Sequence, residues 1–187
     1  MKKIMAFILV GLCLVSGALA AGSQVITGHI PKDVATSTKM DRLPADQILK
    51  LTVGLPIRNK SALDALSKSL HDPASPQYQH FLTSEETTAR FGPTEHDYQT
   101  VIDFLKSNGL TVTYKTRTRM VVGVSGKVGE IEKIFNTHFY NYRRSNGNVF
   151  YAPDTEPSID LDVPILHISG MDNSHIPQAL SHLQKIK

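Results

Sequence analysis

Hydrophobic and polar positions along the chain already outline its elements. Leu49, Leu51 and Val53 alternate with Lys50 and Thr52, the period of a half-buried strand, and Pro56 and Asn59 end it. Ser61 to Leu70 sets Ala62, Leu63, Leu66 and Leu70 on one helical face. Asp72-Pro73-Ala74-Ser75-Pro76 stops that helix, because proline and the residue before it disfavour helical backbone. Thr83 followed by Glu86 is a capping-box spacing and predicts a short helix that Phe91-Gly92-Pro93 breaks. Thr94 with Asp97 starts another helix. Its Tyr98, Val101, Ile102 and Leu105 share a face, and Asn108-Gly109 closes it. Leu110–Tyr114 and Met120–Val124 are strand candidates. After Ser125-Gly126, Val128, Ile131, Ile134 and Phe135 predict an inward-facing helix. Phe139–Tyr142 and Val149–Ala152 flank Asn146-Gly147, a hairpin signal, and a last short strand is expected at Ile165–Ile168.

This order of elements predicts an α+β fold: a ferredoxin-like antiparallel sheet with two main helices on one face. The domain is expected over residues 43–171. Residues 21–42 read as a mixed, polar lead-in with only a short apolar patch at Val25, Ile26 and Ile30, and residues 172–187 as a tail or linker.

The N-terminus follows a different pattern. Met1-Lys2-Lys3 precedes an apolar run from Ile4 to Val15 and a small-residue end, Ser16-Gly17-Ala18-Leu19-Ala20. That is the layout of a secretory signal peptide, residues 1–20, with cleavage between Ala20 and Ala21. The run is too short to span a bilayer comfortably, so no membrane association is expected after cleavage, and the product is expected to be secreted or periplasmic. Removal of Lys2 and Lys3 brings the formal charge of +3 close to neutral, which argues against a nucleic-acid role. The single cysteine, Cys13, lies in the same segment, so stability must come from an apolar core rather than from disulfides.

Patterns of catalysis are absent. The chain has no Gly-x-Ser-x-Gly, no phosphate-binding loop and no His-Glu-x-x-His. Gly123, Gly126 and Gly129 are spaced unlike a dinucleotide fingerprint and predict a tight strand-to-helix turn. Eight histidines stand far apart, unlike a metal-ligating set, and suggest either pH sensing or a scattered surface role. Glu85 and Glu86 fit the first turn of a helix, where the helix dipole stabilises anions. No catalytic residue, metal or cofactor is assigned, and a binding role is favoured over an enzyme.

One long stretch carries a more specific signature. It contains Asp72-Pro73-Ala74-Ser75-Pro76-Gln77-Tyr78-Gln79-His80-Phe81-Leu82-Thr83, followed by Phe91-Gly92-Pro93-Thr94. It resembles the activation prodomain of the sedolisin, or pro-kumamolisin, serine-carboxyl peptidases. The motif residues are Asp72, Pro73, Ser75, Pro76, Tyr78, Phe81, Leu82, Thr83, Phe91 and Pro93, and weaker matches follow in order to Ile168-Ser169-Gly170. The resemblance implies a subtilisin-propeptide-like fold whose sheet packs on a catalytic domain, assists its folding and holds it inactive. It also implies a segment after the core that passes near the catalytic cleft and is cut when acid triggers maturation; Asn173, Ser174, His175 and Ile176 are the candidates for that contact. The implied partner is a sedolisin-type peptidase catalytic domain, met in trans or encoded downstream. No residue here matches that family's catalytic triad. Alternatives are the N-terminal part of a complete proenzyme and an exported binding domain without a peptidase partner.

Overall fold

A computed structural model describes residues 22–175. The proposed signal segment with its Ala20–Ala21 cleavage site, and Ile176, lie outside the described residues. The central sheet contains four strands: β3 (Ile48–Gly54), β4 (Thr111–Lys115), β5 (Val121–Lys127) and β9 (His167–Ser169), in the spatial order β4-β5-β3-β9. Every pairing is antiparallel. Taken in chain order, these strands have the arrangement of a ferredoxin-like sheet, as the pattern of elements predicts.

One face of this sheet is covered by α3 (Glu95–Ser107) and α4 (Val128–Phe135). α3 buries Tyr98, Val101, Ile102 and Leu105, and α4 buries Val128, Ile131, Ile134 and Phe135. They meet Leu49, Leu51, Val53, Val122 and Val124 from the strands in one apolar cluster. Thr94 caps α3 by accepting the Asp97 N–H at 3.0 Å, and α2 (Ser84–Phe91) has a complete capping box between Thr83 and Glu86. α1 (Lys60–His71) is amphipathic, but only its Leu66 is buried. Among the described residues no helix is long and apolar enough to cross a membrane.

Two smaller sheets complete the fold. β2 (Thr38–Arg42) pairs with β6 (Phe139–Arg143), which forms the expected hairpin with β7 (Val149–Pro153). β1 (Ser23–Val25) pairs with β8 (Ser158–Asp160). Strands β1 and β2 therefore belong to the stretch read from the sequence as a lead-in. They are short and almost wholly exposed, so no alternation marks them, and only partners 98 or more positions away give them extended form. Glu132 ties the small sheet to α4. Its Oε1 accepts the Phe139 N–H at 2.9 Å, and its Oε2 lies 2.6 Å from the Arg42 guanidinium.

The glycine-rich stretch differs from its sequence reading. Gly123 and Gly126 are not a strand-to-helix turn: they lie inside β5, which runs on to Lys127 because its partner β3 starts at Ile48, opposite that residue. Gly126 faces the core, where a Cβ would fall within the van der Waals envelope of the buried Leu110 side chain. Gly126→Val should therefore destabilise the fold by about 2–3 kcal/mol through overpacking, measured as a lowered urea midpoint. Glu132→Ala should cost a similar amount, about 1–3 kcal/mol, because it leaves the buried Phe139 N–H without an acceptor; Glu132→Gln, which keeps a carbonyl oxygen, should recover part of the loss in the same assay.

Candidate docking face

The side of the central sheet opposite the helices is open. Strand alternation places Ile48, Lys50 and Thr52 of β3 there, with Ser125 and Lys127 of β5 and the exposed His167 and Ser169 of β9. Ile48 is 56% exposed. The surface sets the small hydroxyl side chains of Thr52, Ser125 and Ser169, which permit a second protein layer to approach closely, beside Lys50, Lys127 and the apolar Ile48.

Tyr114 shapes the middle of this face. The register slips between Val112 and Tyr114, so Val112 pairs with Val124 while Tyr114 pairs with Gly123. Such a bulge re-aims one side chain. Without it, Tyr114 would share the inward face of Val112. With it, the phenol ring lies over Gly123, where a Cβ would collide with the ring, and its hydroxyl sits 2.9 Å from Thr52 Oγ1. An aromatic laid across a strand glycine covers backbone that would otherwise be bare. Tyr114 nonetheless keeps 47% of its surface exposed.

The motif residues separate into two groups. Phe91 is fully buried, and Pro93 is buried beside it. Arg58 fastens this corner: its backbone N–H donates to Phe91 O at 2.7 Å, and its guanidinium reaches the carbonyls of Gly92 and Ala89. Asp72 to Thr83 form an exposed turn between α1 and α2 that is held by its own hydrogen bonds. Asp72 Oδ1 accepts the Ala74 N–H at 2.9 Å, Ser75 Oγ accepts the Gln77 N–H at 3.1 Å, and Leu70 O accepts the Gln79 N–H at 3.1 Å. Pro73 and Pro76 fit a turn that needs few donors. Leu82 is half-buried, whereas Tyr78 and Phe81 are exposed, Phe81 by 66%. At its end Glu86 accepts the Thr83 N–H, and that bond, with a second from the Thr83 hydroxyl, holds the Glu86 carboxyl below its ordinary range.

Of the tail candidates, Asn173 and Ser174 are integrated into the fold. Asn173 Oδ1 accepts the Tyr151 N–H at 2.6 Å, and the Asn173 N–H returns a bond to Tyr151 O at 3.2 Å. Arg144 donates to the Ser174 carbonyl at 2.7 Å and to Asp33 at 2.8 Å, with its guanidinium over the Phe150 ring. His175 is exposed. These contacts fix where the chain leaves the domain.

The sequence did not bring any two histidines together; the fold does. His29 is buried and stacks on His167, with ring centroids 4.4 Å apart. Burial and the neighbouring His167 hold the His29 pKa below its ordinary value. Only the docking of the segment after β1 against β9, near the other end of the chain, creates this contact, so no local spacing signals it. Among the described residues, no three His, Cys, Asp or Glu side chains gather as a metal site.

The sequence is similar to parts of several known peptidases. The chain is 26% identical to sedolisin of Pseudomonas sp. (strain 101) over 133 residues, which is 70% of this chain and 22% of that protein. It is 28% identical to xanthomonalisin of Xanthomonas sp. (strain T-22) over 160 residues, 84% of this chain and 19% of the relative. Aorsin of Aspergillus oryzae is 27% identical over 138 residues, 71% of this chain and 21% of the relative. The chain thus spans about a fifth of the length of these curated relatives. The model of the pro-kumamolisin activation domain matches residues 35–174, from the turn before β2 to the Ser174 carbonyl held by Arg144, and the chain belongs to that family of peptidase prodomains.

Proposed function

We propose that this chain works as an exported peptidase prodomain that binds a sedolisin-type serine peptidase catalytic domain, restrains it and assists its folding. It does no chemistry of its own. The open face of β4-β5-β3-β9 supports this reading best: a two-layer domain leaves one side of its sheet without a layer, and that side exposes the apolar Ile48 and the Tyr114 ring. The catalytic domain supplies the third layer. Ile48 and Tyr114 serve as anchors, and Ser125 and Ser169 allow close approach. The segment after Gly170, steered by Asn173 and Arg144, continues toward the partner's cleft.

The small share of its relatives that the chain spans supports a second form of the same reading, in which the partner is the downstream part of a longer proenzyme. A reading frame that continues past codon 187 into a catalytic domain would establish it.

The direct test mixes the purified chain with a sedolisin-type catalytic domain and measures peptide hydrolysis and affinity. Concentration-dependent inhibition is expected. Ile48→Asp, at an exposed position, should weaken binding roughly 30-fold while leaving the circular dichroism spectrum unchanged, the effect of losing an interface anchor. Tyr114→Ala should weaken it to a similar degree. Absence of binding by the wild-type chain would favour an exported domain with no peptidase partner; unaltered binding by both variants would exclude this face.

A further inference from the structure

The N-terminal segment and the last strand meet at His29. The Ile168 N–H of β9 donates to His29 Nε2 at 2.9 Å, while His29 Nδ1 lies 2.9 Å from the Ile26 carbonyl oxygen. A backbone N–H can only donate and a carbonyl can only accept. The ring must therefore be neutral, with its proton on Nδ1 and a lone pair on Nε2. This state is set by two backbone groups, so no rotation of the ring can satisfy both contacts after a second proton arrives.

The surroundings weight the protonation in opposite directions. From β9, the His167 ring stacks on His29 and opposes a charge there. From the connection between β7 and β8, the Glu156 carboxylate lies 3.9 Å from Nδ1 and favours one. Glu156 is already engaged by the backbone N–H groups of Gly28 and His29 at 3.0 and 2.9 Å, which draw on its charge. Burial of the ring adds to the opposition.

We propose that His29 is a latch that closes only when neutral: its protonation opens the seam between residues 26–29 and β9 while the β3–β5 centre of the sheet stays paired. The proton comes from solvent and binds Nε2. The Ile168 N–H loses its acceptor and faces a second donor, so the two segments separate. β9 is three residues long and has β3 on one side, so the seam can open without breaking the longer ladder. The direction follows from linkage. The open form binds the proton more readily than the closed form, so closure is complete above the ordinary histidine value near 6.5 and weakens as pH falls from there to the lowered value.

The experiment uses the full chain alone, so its failure is separate from any failure to bind a peptidase. NMR would follow the His29 ring titration and the protection factors of the Ile168 and Leu51 amides. The expected result is a His29 midpoint below 6.5 and an Ile168 opening that grows up to tenfold per pH unit from 6.5 down to that midpoint, then levels off. Leu51 should stay protected throughout. His29→Gln offers an oxygen acceptor and no titration, so Ile168 opening should become flat with pH. If that variant does not fold, the wild-type profile alone decides. A His29 midpoint at or above 6.5, an Ile168 protection factor independent of pH, or parallel loss at Leu51 would overturn the latch.

Discussion

The seven-residue antiparallel ladder between β3 and β5 is the constraint on which the rest of the molecule depends. It pairs Ile48 with Lys127 and runs without interruption to Gly54 and Val121. Because side chains alternate, this one register decides which residues form the core and which form the open face; a slip by one residue would turn Leu49, Leu51 and Val53 outward. The helices hold it in place from one side. On the other side Tyr114 lies across the centre of the sheet and His29 stacks on His167 at its β9 edge.

The glycines of β5 show how closely both sides are fitted to this register. Gly126 makes room for Leu110 on the helix side, and Gly123 makes room for Tyr114 on the open side. Glycine in a strand interior is normally weakening, since it adds no side chain and loses more entropy on ordering. Here each missing Cβ is replaced by a side chain from β4 or the residue before it. The central position of the open face thus holds a recumbent ring rather than an upright side chain.

Local signals carried most of the central layer. The helix caps at Thr83 and Thr94, the alternation at Leu49–Val53 and the inward sets of α3 and α4 were all legible because each is contained within a few turns of chain. β1, β2 and β8 were not, because they are short edge segments whose extended form comes from distant partners. The candidate face was half legible. Its strands could be placed, but Tyr114 belongs to the core by simple alternation, and only the bulge turns it outward. The motif from Asp72 to Thr83 identified the family while saying little of its own geometry, which is an exposed, self-bonded turn rather than packed core.

The His29–His167 contact lay outside any local reading for a physical reason. The two rings stand 138 positions apart in the chain (167 − 29) and meet only because the N-terminal segment lies against β9. The shortness of β9 makes this seam the natural place for reversible opening. A three-residue edge strand contributes little ladder energy, and its outward N–H would be bare without a partner. The domain fills that position with an imidazole acceptor rather than another strand. An amide carbonyl from a neighbouring strand would be insensitive to pH; a ring nitrogen is not. The edge of the sheet is thereby closed by an acceptor whose availability depends on the proton concentration around the protein.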